Sequence, residues 1–463
     1  MLNTYLRHGD LADPRLILAA SALAPATLRV GGITGDWIRY VDGSSGPPSA
    51  APLGYWPSAP ENMTHAEFTT LSSFAHASGF HLMFMLSELY GRNCSNPVPG
   101  CPSCDPVWCT GAWDMSNVHA FLQFLHDGAL LQPGDSLELG NELVGHLPAL
   151  TVTTDILALA DMIDAVWSDA PAASRPRLYA PSTDACSNAE QLAIMANITG
   201  HPRVAGFSYH AYPGESGEGA NALPSILLNS TWLREEILRA SASYECLDAW
   251  QAGPRAAGLE LLVTESSSSW NLPLPAPAQN SFLNGFFTVA ELGQYARTGV
   301  SLVARWAFAE PSPFGTLIYN ATAGQWDAAA DFFVLRAHKA TVGGRVLELS
   351  GDAGSAVLAY AYCGAAGNGS VVIAAANPGS EDAELALPGV AAAPRAEWVL
   401  AAPGGNLSST TPTLNGGAPL RLATDGTPPD MPPAYIAEGQ TLSLPARTQA
   451  FYLLLDAALP ACM

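Results

Sequence analysis

Ser136-Leu-Glu-Leu-Gly-Asn-Glu142 is a short apolar run that ends abruptly in a glycine and two polar residues. A run of this length suits a strand, and the Gly-Asn pair after it ends the strand. The same shape recurs on both sides. Upstream lie Thr27-Leu-Arg-Val-Gly-Gly32 and the run FHLMFML at 80–86. Downstream lie runs at 177–180, 204–209, 259–264 and 302–308; two of them lead into Tyr209-His-Ala-Tyr212 and Thr264-Glu265. Amphipathic stretches of helical length fall between the runs, at 66–77, 116–126, 153–167, 189–195, 232–240 and 284–298. A β-α-β-α order predicts a parallel sheet covered on both faces. Seven strands alternating with helices predict an α/β fold: a (β/α)8 TIM barrel whose first strand is missing from this chain. A doubly wound open sheet is the alternative, but no Gly-x-Gly-x-x-Gly follows any strand.

From about Val342 the texture changes. Short alternating runs at 345–349, 356–362, 370–375, 383–387, 397–400, 420–423, 441–444 and 450–455 are separated by Gly, Pro, Asn and Asp. This is the pattern of an antiparallel β-sandwich. The Pro/Gly-rich stretch 411–438 reads as a long loop. The expected division is a barrel domain at 1–340 and a C-terminal β-sandwich domain at 341–463.

Composition narrows the function. The 463 residues are 48% apolar and only 13% charged, with 41 acidic against 19 basic residues and a net charge of −22. Lys339 is the sole lysine. Such a surface excludes nucleic-acid binding and a polybasic membrane anchor. No apolar run reaches the length of a membrane span. Eight cysteines and seven Asn-x-Ser/Thr sites (at Asn62, Asn93, Asn197, Asn229, Asn320, Asn368 and Asn406) favour an oxidising, secretory route. Four of the cysteines crowd together as Cys94, Cys101, Cys104 and Cys109, for which disulfides are favoured over a zinc site, with the pairing open. The first ten residues are not a signal peptide. The protein is expected to be secreted, extracellular or vacuolar, with the signal lost by truncation of the N-terminus, and to be a monomer.

In a barrel the chemistry sits at the C-terminal ends of the strands. Reading those ends gives Gly32, Asn141 with Glu142, His210 with Tyr212, and Glu265. A carboxylate just past a buried strand is costly unless it is paired or used. Two of them on different strands can face each other across a cleft, the layout for glycoside hydrolysis. Asn141 would then bond a sugar hydroxyl, and His210 or Tyr212 would orient the nucleophile. Asp36 and Asp114 lie in loops with no visible partner, and Glu88 is a weaker candidate for lining the cleft. A lone strand-end Glu more often caps a helix, and a lone His is more often structural; the ordered combination favours catalysis. No P-loop, Gly-x-Ser-x-Gly or His-Glu-x-x-His occurs, and neither a metal nor a cofactor is expected.

At these residues the chain resembles glycoside hydrolase family 79, the heparanase and β-glucuronidase family, in particular its plant heparanase-like branch. The matching segments are Leu28-Arg-Val-Gly-Gly32, Glu138-Leu-Gly-Asn-Glu-Leu-Val-Gly145, Tyr209-His-Ala-Tyr212, Thr264-Glu-Ser-Ser-Ser268, the stretch Phe286 to Gly299 and Leu444-Pro-Ala-Arg-Thr-Gln-Ala-Phe-Tyr452. The resemblance implies a retaining hydrolase of β-glucuronide-type glycans, with Glu142 as acid/base and Glu265 as nucleophile. It also implies that Cys363 pairs with Cys462. Relatives start with a signal peptide and a barrel strand that this chain lacks. They carry Gly-Gly-Thr where this chain has Gly31-Gly32-Ile33. They also carry an Asn-Tyr-Gly-type loop that reads the uronic carboxylate; the nearest match here, Pro313-Phe314-Gly315, lacks the hydroxyl. Trp306 replaces a polar residue after Arg305. The alternatives are a retaining β-glycosidase of non-uronic specificity and a catalytically weak glycan-binding protein.

Overall fold

The computed structural model describes residues 11–43, 61–95, 108–215, 223–241, 244–270, 277–309, 314–351, 356–387, 393–437 and 441–463. Seven parallel strands follow one another in chain order round a single sheet: β1 (Ala26–Val30), β2 (Phe80–Leu86), β3 (Ser136–Leu139), β4 (Arg177–Thr183), β5 (Val204–Ala211), β6 (Glu260–Ser266) and β7 (Leu302–Arg305). Each hydrogen-bonds only to its neighbours in sequence. This is the arrangement expected of strands joined by crossover helices. The apolar runs form strands because the helices bury their outer face and the barrel interior buries the other. In β2, for instance, every residue except His81 is buried.

The ring is almost closed. β1 and β7 are not hydrogen-bonded to each other; a cavity of about 450 Å³ lies between them, lined by Leu28, Phe80, Leu302, Val303, Phe308 and Leu335 among others. The expected barrel short of one strand is therefore the observed one. Strand β7 is shorter than the sequence suggests and stops at Arg305.

Helices α1 (Pro14–Ser21), α2 (His65–Ala77), α3 (Ser116–Asp127), α4 (Ala149–Val166), α5 (Ala189–Ile198), α6 (Ser230–Ser241), α7 (Tyr244–Ala252), α8 (Phe282–Thr298) and α9 (Ala330–Thr341) surround the sheet. Local chemistry sets their starts. Thr64 and Glu67 form a capping box at α2, and Asn188 and Gln191 form another at α5. A disulfide joins Cys186 to Cys246, tying the start of the α5 region to α7.

Helix α9 runs directly into the C-terminal sheet. Its strands are β8 (Val342–Leu347), β9 (Leu358–Gly364), β10 (Val371–Asn377), β12 (Arg395–Ala401), β13 (Thr413–Leu414), β14 (Ala434–Ile436) and β16 (Thr448–Leu454); β11 (Ala383–Leu385) and β15 (Leu442–Leu444) form a separate pair. All of these pairings are antiparallel. The large sheet uses its two faces differently. Val372, Ala374, Phe451 and Leu453 join the core shared with the barrel. Their sequence neighbours Val371, Ile373, Tyr452 and Leu454 pack under Leu442 and Leu444 of the small sheet. Helix α8 lies against the large sheet through glycines: a Cβ at Gly293 would come within 2.2 Å of the Tyr360 ring, and one at Gly285 within 2.5 Å of Gln449. Cys363 and Cys462 are disulfide-bonded.

Two expectations need correction. Residues 420–423 are not a strand: Leu420 is a buried anchor bonded to the carbonyl of Pro412, and the prolines at 419, 428 and 429 remove the donors a ladder needs. The stretch 411–438 is not all loop, because β13 and β14 within it both pair with β12. Of the clustered cysteines, Cys109 is disulfide-bonded, whereas Cys101 and Cys104 lie outside the described residues.

Candidate active site

Side chains alternate in and out along a strand, so a charged residue inside a buried strand must point into the barrel and find a partner there. Arg29 of β1 and Glu138 of β3 do so: Arg29 Nε donates to Glu138 Oε2 at 2.7 Å. The same guanidinium donates from Nη1 to Glu265 Oε2 at 2.8 Å, and from Nη2 to Ser182 Oγ at 2.8 Å and Asn141 Oδ1 at 3.1 Å. One arginine thereby gathers the ends of β3, β4 and β6 into a single cluster.

Of the two strand-end glutamates, Glu265 has the more partners. Tyr212 donates its hydroxyl to Glu265 Oε1, and His210 Nε2 stands 3.9 Å from Oε2. Burial alone would push this carboxyl up; the charges of His210 and Arg29 and the Tyr212 hydroxyl outweigh it and hold Glu265 below the ordinary glutamate value. On the outer face of β6, the adjacent Ser266 donates to the buried Glu291, whose carboxyl burial pushes up to about 7. Strand β6 is thus fixed on both faces beside Glu265.

Glu142 lies on the far side of the imidazole, its Oε1 2.7 Å from His210 Nδ1. His210 is completely buried between the two carboxyls. Burial pushes its pKa down, but Glu265 and Glu142 outweigh that and raise it above the ordinary histidine value. The side chains of Glu142 and Glu265 keep 26% and 15% of their surface exposed, so both open to the rim while the imidazole between them is sealed in. The backbone here is unusual: Glu142 has φ +58° and Ser182 φ +51°, and Glu142 N donates to Ser182 O at 2.8 Å. A left-handed non-glycine residue persists only where its surroundings hold it, and such residues concentrate at functional sites.

The structure therefore brings together Asn141, Glu142, His210, Tyr212 and Glu265. Gly32 and Gly315 make no backbone hydrogen bond to this group among the described residues. At Gly31 an added Cβ would come within 2.7 Å of the Arg29 guanidinium. Phe314 is buried against Trp306 with ring centroids 4.2 Å apart, and Trp306 meets Tyr212 edge-on at 5.9 Å. This aromatic wall flanks Glu265. Glu88 does not line the cleft: it is 1% exposed and lies behind the Gly140–Glu142 turn. Asp36 is likewise buried rather than in an open loop, and Asp114 accepts a bond from Ser116 N ahead of α3. Arg29, Glu138 and Ser182 are the members of the cluster that sequence reasoning did not assign. The signal for two of them was there, as single opposite charges within two buried strands.

Arg29→Met would leave Glu138, which is fully buried, without its cation. Breaking a buried pair from one side is expected to cost about 3–5 kcal/mol, read as a lowered denaturation midpoint; a midpoint equal to that of the unmodified protein would show that Arg29 does not hold the cluster.

A parallel barrel with two carboxyls raised on the ends of separate strands is the plan of the barrel glycosidases. The family model described as Glycosyl hydrolase family 79, N-terminal domain, matches residues 4–293, and the chain belongs to that family. Relatives along nearly the whole chain include heparanase of Gallus gallus, 24% identical over 98% of this chain and 90% of that protein. Hyaluronoglucuronidase of Hirudo nipponia is 23% identical over 98% and 91% respectively. Among solved structures, a 4-O-α-L-rhamnosyl-β-D-glucuronidase from Fusarium oxysporum superposes with a TM-score of 0.63 at 15% identity, covering 96% of this chain and 92% of that one. No described helix is long and apolar enough to cross a membrane.

Proposed function

We propose that the protein is a retaining glycoside hydrolase acting on β-glucuronides, with Glu265 as nucleophile and Glu142 as acid/base. The observation that carries this reading is the unequal environment of the two carboxyls. Glu265 is held ionised by Arg29, His210 and Tyr212, as a nucleophile must be, whereas Glu142 touches only the imidazole and faces the rim. In the first step Glu265 attacks the anomeric carbon while protonated Glu142 gives its proton to the departing glycosidic oxygen, leaving a glycosyl ester on Glu265. In the second, Glu142 takes a proton from water, which attacks the same carbon and frees Glu265. Asn141, fixed by Arg29, presents its amide to a sugar hydroxyl.

The glucuronide preference follows from the names of the relatives. A neutral β-glycoside is the second reading, favoured by the apolar Trp306–Phe314 wall beside Glu265. A sulfated polyanion fits poorly with a net charge of −22, which would slow its approach. A panel of nitrophenyl β-glycosides separates the readings. Glucuronide turnover at least about tenfold above glucoside, galactoside and xyloside is expected, a difference of roughly 1.4 kcal/mol in transition-state binding. The reverse order supports the second reading, and glycan binding with no turnover of any glycoside contradicts both. We also propose passage through the secretory route: six of the seven Asn-x-Ser/Thr asparagines are exposed, and disulfides join Cys186 to Cys246 and Cys363 to Cys462.

A further inference from the structure

Behind Glu142 lies a second group of carboxyls that the reaction does not use. Asp36, in the short turn Ile33–Trp37 that follows β1, is completely buried; among the described residues neither carboxyl oxygen has a donor within bonding distance, and the Asn141 main-chain N–H is the donor that faces it. Its main-chain carbonyl receives Leu89 N at 3.1 Å, Tyr90 N at 3.2 Å and Ser87 Oγ at 2.5 Å, so the turn is locked onto the residues around Glu88. Glu88 is 1% exposed, and among the described residues its Oε1 has no hydrogen-bond partner, only Arg92 Nη2 at 3.6 Å. Its Oε2 presses on residue 140 so closely that a Cβ there would come within 2.5 Å; Gly140, at φ +70°, opens the left-handed turn that ends at Glu142. The carboxyls of Asp36 and Glu88 thus stand behind the strained segment that carries the acid/base.

The nearby cations are shared among several carboxyls. Arg92 Nη2 pairs with Asp155 and stands 3.6 Å from Glu88 Oε1, and Arg29 serves Glu138 and Glu265. The groups facing Asp36 are Glu88, Glu142, Arg29, Tyr40 and the main-chain N–H of Asn141; those facing Glu88 are Asp36, Asp155 and Arg92. An ionised carboxylate with so few donors in such a place is costly, and neighbouring carboxylates add repulsion. Burial, followed by the charge of Glu88, raises Asp36 well above the ordinary aspartate value; burial, followed by the charge of Asp155, does the same for Glu88.

We propose that Asp36 and Glu88 are positioning residues that act as neutral acids: they brace the Gly140–Glu142 turn from behind, and their ionisation as pH rises releases that turn and with it Glu142. The catalytic part of the proposal rests on the role given to Glu142 above; the part concerning the turn does not. A carboxyl that holds its proton more tightly folded than unfolded contributes stability at low pH and loses it as pH rises towards the folded value. Stability and kcat should therefore fall together on the alkaline side, with KM little changed.

The test compares Asp36→Asn, Asp36→Ala and Glu88→Gln with the unmodified full chain, reading thermal midpoints and kcat from pH 4 to 9. The neutral isosteres Asp36→Asn and Glu88→Gln should flatten the alkaline loss of thermal stability. They should also move the alkaline limb of kcat up by about one pH unit or more. Asp36→Ala should lose kcat at every pH, and Asp36→Asn should restore it at pH 5. Thermal profiles of both isosteres parallel to the unmodified protein would overturn the proposal, as would a folded Asp36→Asn no more active at pH 5 than Asp36→Ala. If Asp36→Asn fails to fold at any pH, the neutral-acid role of Asp36 is refuted, and Glu88→Gln still reads the second acid. Should no glycoside be turned over at all, the thermal profiles still decide whether the two acids brace the fold, so failure of this proposal and of the catalytic assignment remain distinguishable.

Discussion

Glu265→Gln is expected to reduce kcat/KM on the best β-glycoside by on the order of 10⁵-fold, about 7 kcal/mol of transition-state stabilisation. The amide cannot attack the anomeric carbon, and it replaces the charge around which Arg29, His210 and Tyr212 are arranged. The loss should fall on kcat more than on KM, because the missing interaction forms only in the transition state. Glu265 stays ionised below the ordinary glutamate value in the unmodified protein, since His210 and Arg29 outweigh the effect of burial. The acid limb of the rate profile should accordingly lie below the ordinary glutamate value. A Glu265→Gln variant retaining a tenth or more of the activity, correctly folded by thermal midpoint, would refute the assignment.

Glu142→Gln should have the second-largest effect, and its size should depend on the leaving group. For an alkyl or sugar aglycone, which needs a proton to depart, a loss on the order of 10³-fold is expected. For an aryl leaving group that departs as a stable phenolate, the first step needs little help and the deficit in kcat/KM should shrink markedly. A structural role for Glu142 would depress both substrates equally, so rates on a matched aryl and alkyl pair check the assignment. Replacement also exchanges the carboxyl beside His210 Nδ1 for an amide.

Much of this site was legible in the chain because barrel geometry turns position into function. A polar residue that ends a buried apolar run must emerge at the rim, so Glu142, His210 and Glu265 could be read without coordinates. The strands were legible for the same reason: most are buried on both faces and stand out as largely apolar runs. What could not be read was pairing across the barrel. Arg29 and Glu138 sit as lone charges in TLRV and SLEL, yet nothing local says that Arg29 spans to Glu138 and Glu265 together; that depends on the register of β1, β3 and β6. Asp36 resembled a loop residue because its burial comes from the 87–90 segment folding over it, a contact between distant parts of the chain. In the C-terminal half, strands of two or three residues such as β13 and β14 are too short to show a period, and the apolar Leu420 imitates one. The unequal use of the large sheet's two faces is set by its seat on α8 through Gly285 and Gly293, which no alternation pattern encodes.

The central claim is that Glu265 forms a covalent bond to the sugar. Incubation with an activated 2-deoxy-2-fluoro-β-glucuronide, which slows breakdown of the ester more than its formation, followed by peptide mass mapping, tests it most directly. One glycosyl adduct per chain is expected, located on Glu265, with turnover of the ordinary substrate to a product whose first-formed anomer is β. An adduct on another residue, or an α anomer released first, would contradict it.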